Sequence, residues 1–383
     1  MQQLRVGVAG LGRGFTVMLP TFRRDPRVVL VAAAEQRAAA REQFAREFEA
    51  RTYATVEALC GDAAVDVIYV ATPHQFHAEH AVLAAKAGKH VLVEKPMAIS
   101  LGECSAMIEG ARASGVKLIV GHSHSFNAPV ARARAMIETR EYGAVRMVNA
   151  FNYTDFVYRP RRPEELDTAQ GGGVTFSQGA HQVDIVRMLT GSRVTSVRAF
   201  IGAWDASRPT DGAYAALLGF ESGATASLTY SGYGHFDTDV FQDWIGEMGQ
   251  KKELGARPRK TFSSAAEESA FKQSRNYGGA NVQDLDGVAI AHQNFGTIIV
   301  SCEHADIRLM PNGVMIYRNG EAKLDPLPPP TIPRVEVIDE LYDAVVKGAT
   351  PKHSGEWAMA TLEVCLAMLQ SNRENREIRL LGT

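Results

Sequence analysis

No stretch of the 383-residue chain stays apolar for the length that a bilayer span requires. The first apolar run begins at Leu4 and leaves no room for a secretory leader, so a cytoplasmic location is expected. Cysteine is scarce. Cys60, Cys104, Cys302 and Cys365 lie far apart with no Cys-x-x-Cys pair, which reads as reduced thiols rather than a disulfide framework or a zinc site. An excess of one charge is missing too: 41 basic side chains face 43 acidic ones, a formal net charge of -2. Nothing in that balance would hold nucleic acid or an anionic membrane. No internal repeat is visible. What remains is a chain that is 45% hydrophobic and 22% charged, long enough for two domains with a sizeable core.

The first 125 residues alternate strand and helix. Leu4 to Ala9 is an apolar run that feeds Gly10-Leu11-Gly12-Arg13-Gly14-Phe15, the strand–turn–helix sequence that presents backbone N–H groups to a pyrophosphate. A G-x-G-x-x-G pattern needs glycine at 15; Phe15 is there, and Gly14 comes one position early. The second run, Val28 to Ala34, ends at Glu35, a carboxylate placed to accept hydrogen bonds from the adenosine ribose and to repel a 2′-phosphate. NAD is therefore expected, while Arg37 keeps NADP open because it could neutralise that phosphate. A helix over Arg37 to Ala50 follows, then a strand over Asp66 to Ala71 with Thr72 and Pro73 at its end. His77 to Ala87 reads as a helix stopped by Gly88, and His90 to Val93 as a strand leading into Glu94-Lys95-Pro96. Ser100 and Glu103 form a capping box for a helix to Ser114, and Val116 to Val120 is a further strand. Such alternation means a doubly wound parallel sheet, an α/β Rossmann domain over residues 1–125. Ligands gather beyond the carboxyl ends of these strands. The cofactor-side residues are accordingly Gly10, Gly12, Arg13, Gly14, Phe15, Glu35, Thr72, Pro73, His77, Glu94 and Lys95. His74, His77 and His80 turn progressively around one helix without an acidic or thiol partner, so hydrogen bonding is expected of them rather than metal binding.

The pattern changes after Gly121. His122 and His124 follow a strand end and should line a cleft. Strands over Ala144 to Tyr153, Val194 to Ala203, Ala213 to Phe220, Ala224 to Ser231 and within Gly296 to Tyr317 predict a second sheet, giving residues 126–383 an α+β substrate and oligomerisation domain. Arg159, Arg161 and Arg162 share a loop stiffened by Pro160 and Pro163, which suits either bidentate binding of carboxylates or a solvated basic surface. Gly171-Gly172-Gly173 opens a helix to about Leu189, on which Ser177, His181, Asp184 and Met188 share a face. Residues 251–285 are polar, rich in charge and without period, and read as a mobile insert, lid or inter-subunit arm. Two helices, Val335 to Lys347 and Glu356 to Ser371, close the chain.

Gly10-Leu11-Gly12 after the first strand, the stretch Ala87-Gly88-Lys89-His90 to Glu94-Lys95-Pro96, and the later glycine triplet with His181 and Asp184 together resemble the Gfo/Idh/MocA oxidoreductases. The resemblance spans nearly the whole chain. It implies a Rossmann domain followed by a domain built on a large, mostly antiparallel open sheet, and a homodimer or homotetramer formed through that sheet. It also assigns catalysis to Lys95 and His181, acting at the nicotinamide. Family members commonly carry aspartate four residues before the histidine, where this chain has Ser177. That departure, with GGGVTFSQGAHQVDIVRMLTG and SGYGHFDTD, is similar to a subgroup acting on phthalate cis-dihydrodiols. The resemblance thus implies NAD-dependent oxidation of a ring cis-dihydrodiol in aromatic catabolism, with phthalate 4,5-cis-dihydrodiol the leading substrate. His122, His124, Arg159, Arg161, Arg162, Ser177 and His181 are the expected substrate-side residues. A sugar or cyclitol dehydrogenase and a non-catalytic NAD-binding regulator remain as alternatives.

Overall fold

The computed structural model describes residues 2–246, 248–253, 260–283, 285, 287 and 289–380. Its strands are β1 (Leu4–Ala9), β2 (Val28–Ala34), β3 (Arg51–Tyr53), β4 (Val67–Val70), β5 (His90–Val93), β6 (Leu118–Val120), β7 (Val145–Tyr153), β8 (Val194–Gly202), β9 (Ala213–Phe220), β10 (Thr225–Ser231), β11 (Thr297–Cys302), β12 (Asp306–Met310), β13 (Gly313–Arg318), β14 (Glu321–Pro326) and β15 (Ile378–Arg379). The helices are α1 (Arg13–Arg24), α2 (Ala38–Phe48), α3 (Val56–Cys60), α4 (His77–Lys86), α5 (Leu101–Ala113), α6 (Ala128–Glu138), α7 (Ala180–Thr190), α8 (Ala265–Ser274), α9 (Val335–Val346) and α10 (Gly355–Glu374). No helix among the described residues is long and apolar enough to cross a membrane.

The chain divides into two compact units. The first carries six parallel strands in the order β3-β2-β1-β4-β5-β6. Its central strands are apolar on both sides, as a sheet covered on both faces requires: Val67 to Val70 and Val91 to Val93 are all buried. The strand order reverses between β1 and β4, and a crevice for a ligand opens at that switch point. The Ser100–Glu103 capping box is present at α5, and Gly88 takes the left-handed conformation (φ 72°) just past α4.

Besides the five-residue α3, two elements of this unit escaped the sequence pattern. Strand β3 is only three residues long, and its Arg51 points to solvent, so no apolar period marks it. The second is part of the stretch read as a mobile insert. The first unit takes in Phe262 to Gly287 and Ile332 to Leu362 besides everything up to His122, so one cut near residue 125 does not describe it. Here α8 is capped by the Ser264 side chain, and the Tyr277 ring meets Phe15 edge-on at 5.3 Å. Residues 254–259 of that stretch lie outside the described residues.

The second unit is built on nine strands in the order β14-β13-β12-β11-β7-β10-β9-β8-β15. Neighbours pair antiparallel, except that β10 runs parallel to β7. Register shows how the sheet divides its faces, because directly paired residues lie on the same side. Ala199, Ala216, Leu228, Ala150, Ile298, Ile307 and Ile316 are buried, and α7 crosses this face with Gln182 Nε2 donating to the Thr229 carbonyl at 3.2 Å. On the other face, Phe200 pairs with Ala215, Leu217 with Ser227, and Thr225 with Met147. Phe200 (60%), Leu217 (62%) and Met147 (42%) are exposed there, an apolar surface on one side of a broad sheet.

Candidate functional site

In the first unit the groups meet at the carboxyl ends of β1, β2, β4 and β5. Gly10 takes φ 92°, and a side chain on it would press to 3.0 Å from the Ala71 carbonyl oxygen, so the turn requires glycine. Gly12 caps α1, and a side-chain carbon there would find only the Ala71 oxygen at 3.8 Å. Space beside Gly12 is therefore open at the amino end of a twelve-residue helix, which is the fit a pyrophosphate needs. Gly14 answers to a different neighbour. A carbon added to it would lie 3.1 Å from Glu94 Cγ, so the early glycine makes room for the carboxylate that precedes Lys95. Phe15 is wholly buried against Phe44 and Tyr277 and offers a cofactor no side chain, which corrects its place among the expected contacts. Arg13, the first residue of α1, reaches Gln283 at 3.4 Å.

Glu94 accepts from Tyr69 Oη at 2.5 Å, and burial lifts its carboxyl above the ordinary range. Lys95 follows at the turn after β5, joined to Pro96 by a cis peptide bond. Thr72 Oγ1 and His80 Nδ1 are 3.0 Å apart, and Pro73 leads into the short 3-10 turn that begins at His74. His77 is fully buried. Its ring nitrogens lie 2.9 Å from the Pro96 oxygen and 2.8 Å from the Thr72 oxygen, and burial lowers its pKa against the pull of those two carbonyls. It holds the Lys95 turn against the Thr72 turn and cannot touch a cofactor itself, a second correction.

Glu35 stands at the end of β2. Oε2 accepts from the Leu11 N–H at 3.0 Å, and Oε1 from the Arg37 N–H at 3.0 Å. Arg37 adds Nε to Oε1 at 3.1 Å and Nη2 to Oε2 at 3.0 Å. Burial raises the carboxyl's pKa, but Arg37 and the two backbone donors more than reverse that and leave it below the usual carboxylate value.

The second unit brings together a different set. Gly171 to Gly173 lead into a π-helical turn, Thr175–Gly179, that carries Ser177 and continues as α7 with His181 in its first turn. Gly173 takes φ 79°, and a side chain on it would collide with Asp211 Oδ1. Asp211 accepts from the Thr175 N–H and Thr175 Oγ1, both at 2.7 Å, and from Thr168 Oγ1. The rings of His181 and His124 lie 4.5 Å apart, and Phe295 lies 4.9 Å from each. Tyr230 stacks beyond Phe295 at 6.2 Å, so a row of rings runs from Tyr230 through Phe295 to the paired His181 and His124. The His124 N–H donates to His181 Nδ1 at 3.4 Å, and Asp184 Oδ2 accepts from Ser125 Oγ. Ser123 Oγ and Asn294 Oδ1, each on a neighbour of the row in sequence, are buried without a partner among the described residues. Buried orphans of this kind mark a place for a polar ligand. Phe295, Asn294 and Asp211 belong to no sequence pattern that could have singled them out.

The three loop arginines separate. Arg162 turns back onto Glu164 at 3.1 Å and Glu165 at 3.4 Å. Arg159 pairs with Asp155 at 2.8 Å and is about half exposed. Arg161 is largely buried (12% exposed), its guanidinium 3.6 Å from the Phe156 ring centroid, with Nη2 donating to the Phe156 carbonyl at 2.8 Å and Nη1 3.9 Å from Glu165. Burial pulls its pKa down to about 10, with Glu165 opposing the change. Both Arg159 and Arg161 act on Tyr230, lowering a phenol pKa that burial otherwise raises. The anion-binding potential of the loop therefore concentrates at the Tyr230 end of the row. His122, the last residue of the first unit, is buried behind a cis peptide bond from Gly121.

Comparison with known proteins agrees with this division. Residues 4–122 match the oxidoreductase family with an NAD-binding Rossmann fold, and residues 130–249 match the GFO/IDH/MocA C-terminal domain. The chain is 45% identical over 377 residues to 1-carboxy-3-chloro-3,4-dihydroxycyclohexa-1,5-diene dehydrogenase of Comamonas testosteroni, covering 97% of this chain and 95% of that one. It is 29% identical over 232 residues to trans-1,2-dihydrobenzene-1,2-diol dehydrogenase of Sus scrofa, covering 60% and 68%. The crystal structure of a protein described as a dehydrogenase from Bordetella bronchiseptica RB50 superimposes with a TM-score of 0.90 at 38% identity, over 99% of this chain and all of that one. The chain belongs to the Gfo/Idh/MocA family, as an NAD-binding oxidoreductase related to dehydrogenases of cyclic dihydrodiols.

Proposed function

We propose that the protein oxidises a carboxylated ring cis-dihydrodiol, with phthalate 4,5-cis-dihydrodiol as the leading substrate and 4,5-dihydroxyphthalate as its product. The observation that carries this is Arg161. A largely buried guanidinium over a phenylalanine face, with Nη2 on the Phe156 carbonyl at 2.8 Å and its acidic neighbour 3.9 Å away, gains a charge-assisted pair from a substrate carboxylate. An aromatic row leads from it, through Tyr230 and Phe295, to His181. A flat ring bearing a diol at one end and a carboxylate at the other suits such a row. The Comamonas relative, whose name specifies a carboxylated dihydroxycyclohexadiene, supports the same substrate class.

NAD, when bound, supplies the hydride acceptor; Gly10, Gly12 and Glu35 would hold it. Lys95 would hydrogen-bond the reacting hydroxyl and, as the neutral amine, take its proton to become the ammonium. The family resemblance makes His181 catalytic without saying which way it moves a proton. The His124 N–H can only donate, so Nδ1 of His181 accepts, and the neutral ring carries its proton on Nε2. His181 then serves better as a donor that stabilises the developing alkoxide. The resulting ring hydroxy-ketone enolises to a catechol, and aromatisation draws the reaction forward. The exposed sheet face with Phe200, Leu217 and Met147 is proposed to meet a second copy of the chain, as a homodimer or homotetramer. Sedimentation would show this.

A substrate panel tests the assignment. NADH formation is followed with carboxylated cis-dihydrodiols, uncharged cis-dihydrodiols, inositols and sugars. The highest kcat/KM is expected with a carboxylated cis-dihydrodiol. A cyclitol or sugar preferred over every dihydrodiol would establish the polyol reading, and NADH binding without turnover would establish a regulator.

A further inference from the structure

Arg37 is held in a way the Rossmann fold alone does not provide. Its Nη2 donates to the Leu11 carbonyl at 3.1 Å in addition to Glu35, and its Nη1 donates to the carbonyl of Tyr277 at 3.0 Å, 240 positions along the chain. Tyr277 is in turn fixed on three sides. Its ring sits edge-on to Phe15 at 5.3 Å and to Phe44 at 6.1 Å, and its hydroxyl donates to Glu47 on α2 at 2.6 Å. Gly278 then takes φ 75° over α2, where a side chain would come within 3.1 Å of Ala40 Cα. The polar segment from the second half of the sequence thus has a built anchor on the first unit, and the anchor ends on Arg37, the cation that pairs with the Glu35 carboxylate, while Arg41 is held on the backbone carbonyls of Glu35 and Gln36.

We propose that Tyr277 is a positioning residue for cofactor choice: it fixes Arg37 on Glu35 and so prevents a cation from facing a 2′-phosphate. The four acceptor directions of the Glu35 carboxylate are filled by Leu11 N–H, Arg37 N–H, Nε and Nη2. A ribose hydroxyl enters by exchanging one donor for another, and the carboxylate stays satisfied. A 2′-phosphate brings no donor. It is tolerated only if Arg37 swings outward, which breaks its bonds to Glu35, Leu11 and Tyr277 together and leaves both carbonyls unpaired. Each added tether therefore penalises NADP more than NAD. Arginine beside the β2 carboxylate, which from sequence kept NADP open, becomes in this setting part of the discrimination against it.

The test is binding of NADH and NADPH, measured by fluorescence titration, which needs no substrate and so stands apart from the substrate assignment above. Tyr277→Ala and Tyr277→Leu both remove the hydroxyl and the ring anchor; Tyr277→Leu keeps apolar bulk against Phe15. In each, the preference for NADH over NADPH is expected to fall at least roughly tenfold, mainly through tighter NADPH binding. In an Arg37→Ala background the same Tyr277 substitution should leave the preference unchanged, because its effect passes through Arg37. Tyr277→Phe, which keeps the ring, should stay near the parent. An unchanged preference in both variants overturns the proposal. So does an equal fall without Arg37, and so does loss of both cofactors from both variants, which would make Tyr277 a structural support only.

Discussion

The molecule has two glycine-rich entrances to a helix, and they are built for opposite purposes. At Gly10-Leu11-Gly12 the turn is tight but the space beside Gly12 is empty of protein, and the amino end of α1 is left to an anion from outside. At Gly171-Gly172-Gly173 the corresponding space is filled by the protein's own Asp211, which takes up the Thr175 N–H and two threonine hydroxyls. In sequence the two look alike. What separates a ligand cradle from a structural cap is whether a carboxylate from elsewhere in the chain already occupies it. The arginines differ in a similar way: Arg37 is bound to a carboxylate at 3.0 Å and to two carbonyls, whereas Arg161 lies over a ring with one bond to the Phe156 carbonyl and its carboxylate at 3.9 Å.

The largest effects should come from the open side. Lys95→Ala is expected to cut turnover by roughly 10²–10⁴-fold with NADH affinity nearly intact, the loss typical of a positioned proton-transfer or electrostatic group. Near-parent turnover would remove Lys95 from the chemistry. Gly12→Val should give the inverse signature. The backbone has room for the added carbon, so the fold survives, but NADH affinity should drop roughly 10²-fold as phosphate contacts to the turn are lost. Unchanged NADH titration would show that the pyrophosphate lies elsewhere.

The filled side predicts a stability effect instead. Asp211→Asn replaces an acceptor by a group that turns an N–H toward buried donors, and should cost roughly 2–3 kcal/mol in denaturant unfolding while cofactor affinity holds. A variant as stable as the parent would make Asp211 a bystander. A smaller change is expected from the burial of Arg161 itself. Burial lowers its pKa, so carrying the cation there costs stability, and Arg161→Met should be at least as stable as the parent in denaturant unfolding. A clear loss of stability would mean that its contacts with Phe156 and Glu165 outweigh that cost.

Much of this was legible in sequence because it depends on short-range pattern. The strand ends that carry Gly10, Glu35, Thr72 and Lys95 follow from apolar runs and the glycines that stop them. The displaced glycine at 14 had no explanation until Glu94, eighty positions later, was found against it. Tyr277 was hidden for a related reason: a polar, aperiodic segment gives no sign of where it docks, and its anchor consists of one ring, one hydroxyl and one carbonyl. The arginine loop was found as a cluster, but which member faces acid and which is buried depends on Asp155, Glu164 and Glu165, whose side chains pair only once the loop is folded.

The most direct test of the central claim compares two substrates on one variant. Arg161→Ala is assayed with NAD against a carboxylated cis-dihydrodiol and against the same ring diol without a carboxylate. Loss of one charge-assisted pair, worth about 1.5–3 kcal/mol, should raise KM for the carboxylated diol by roughly 10–150-fold and leave the uncharged diol within about twofold of the parent. Equal effects on both substrates, or none on either, would contradict the assignment of Arg161 as the residue that reads the carboxylate.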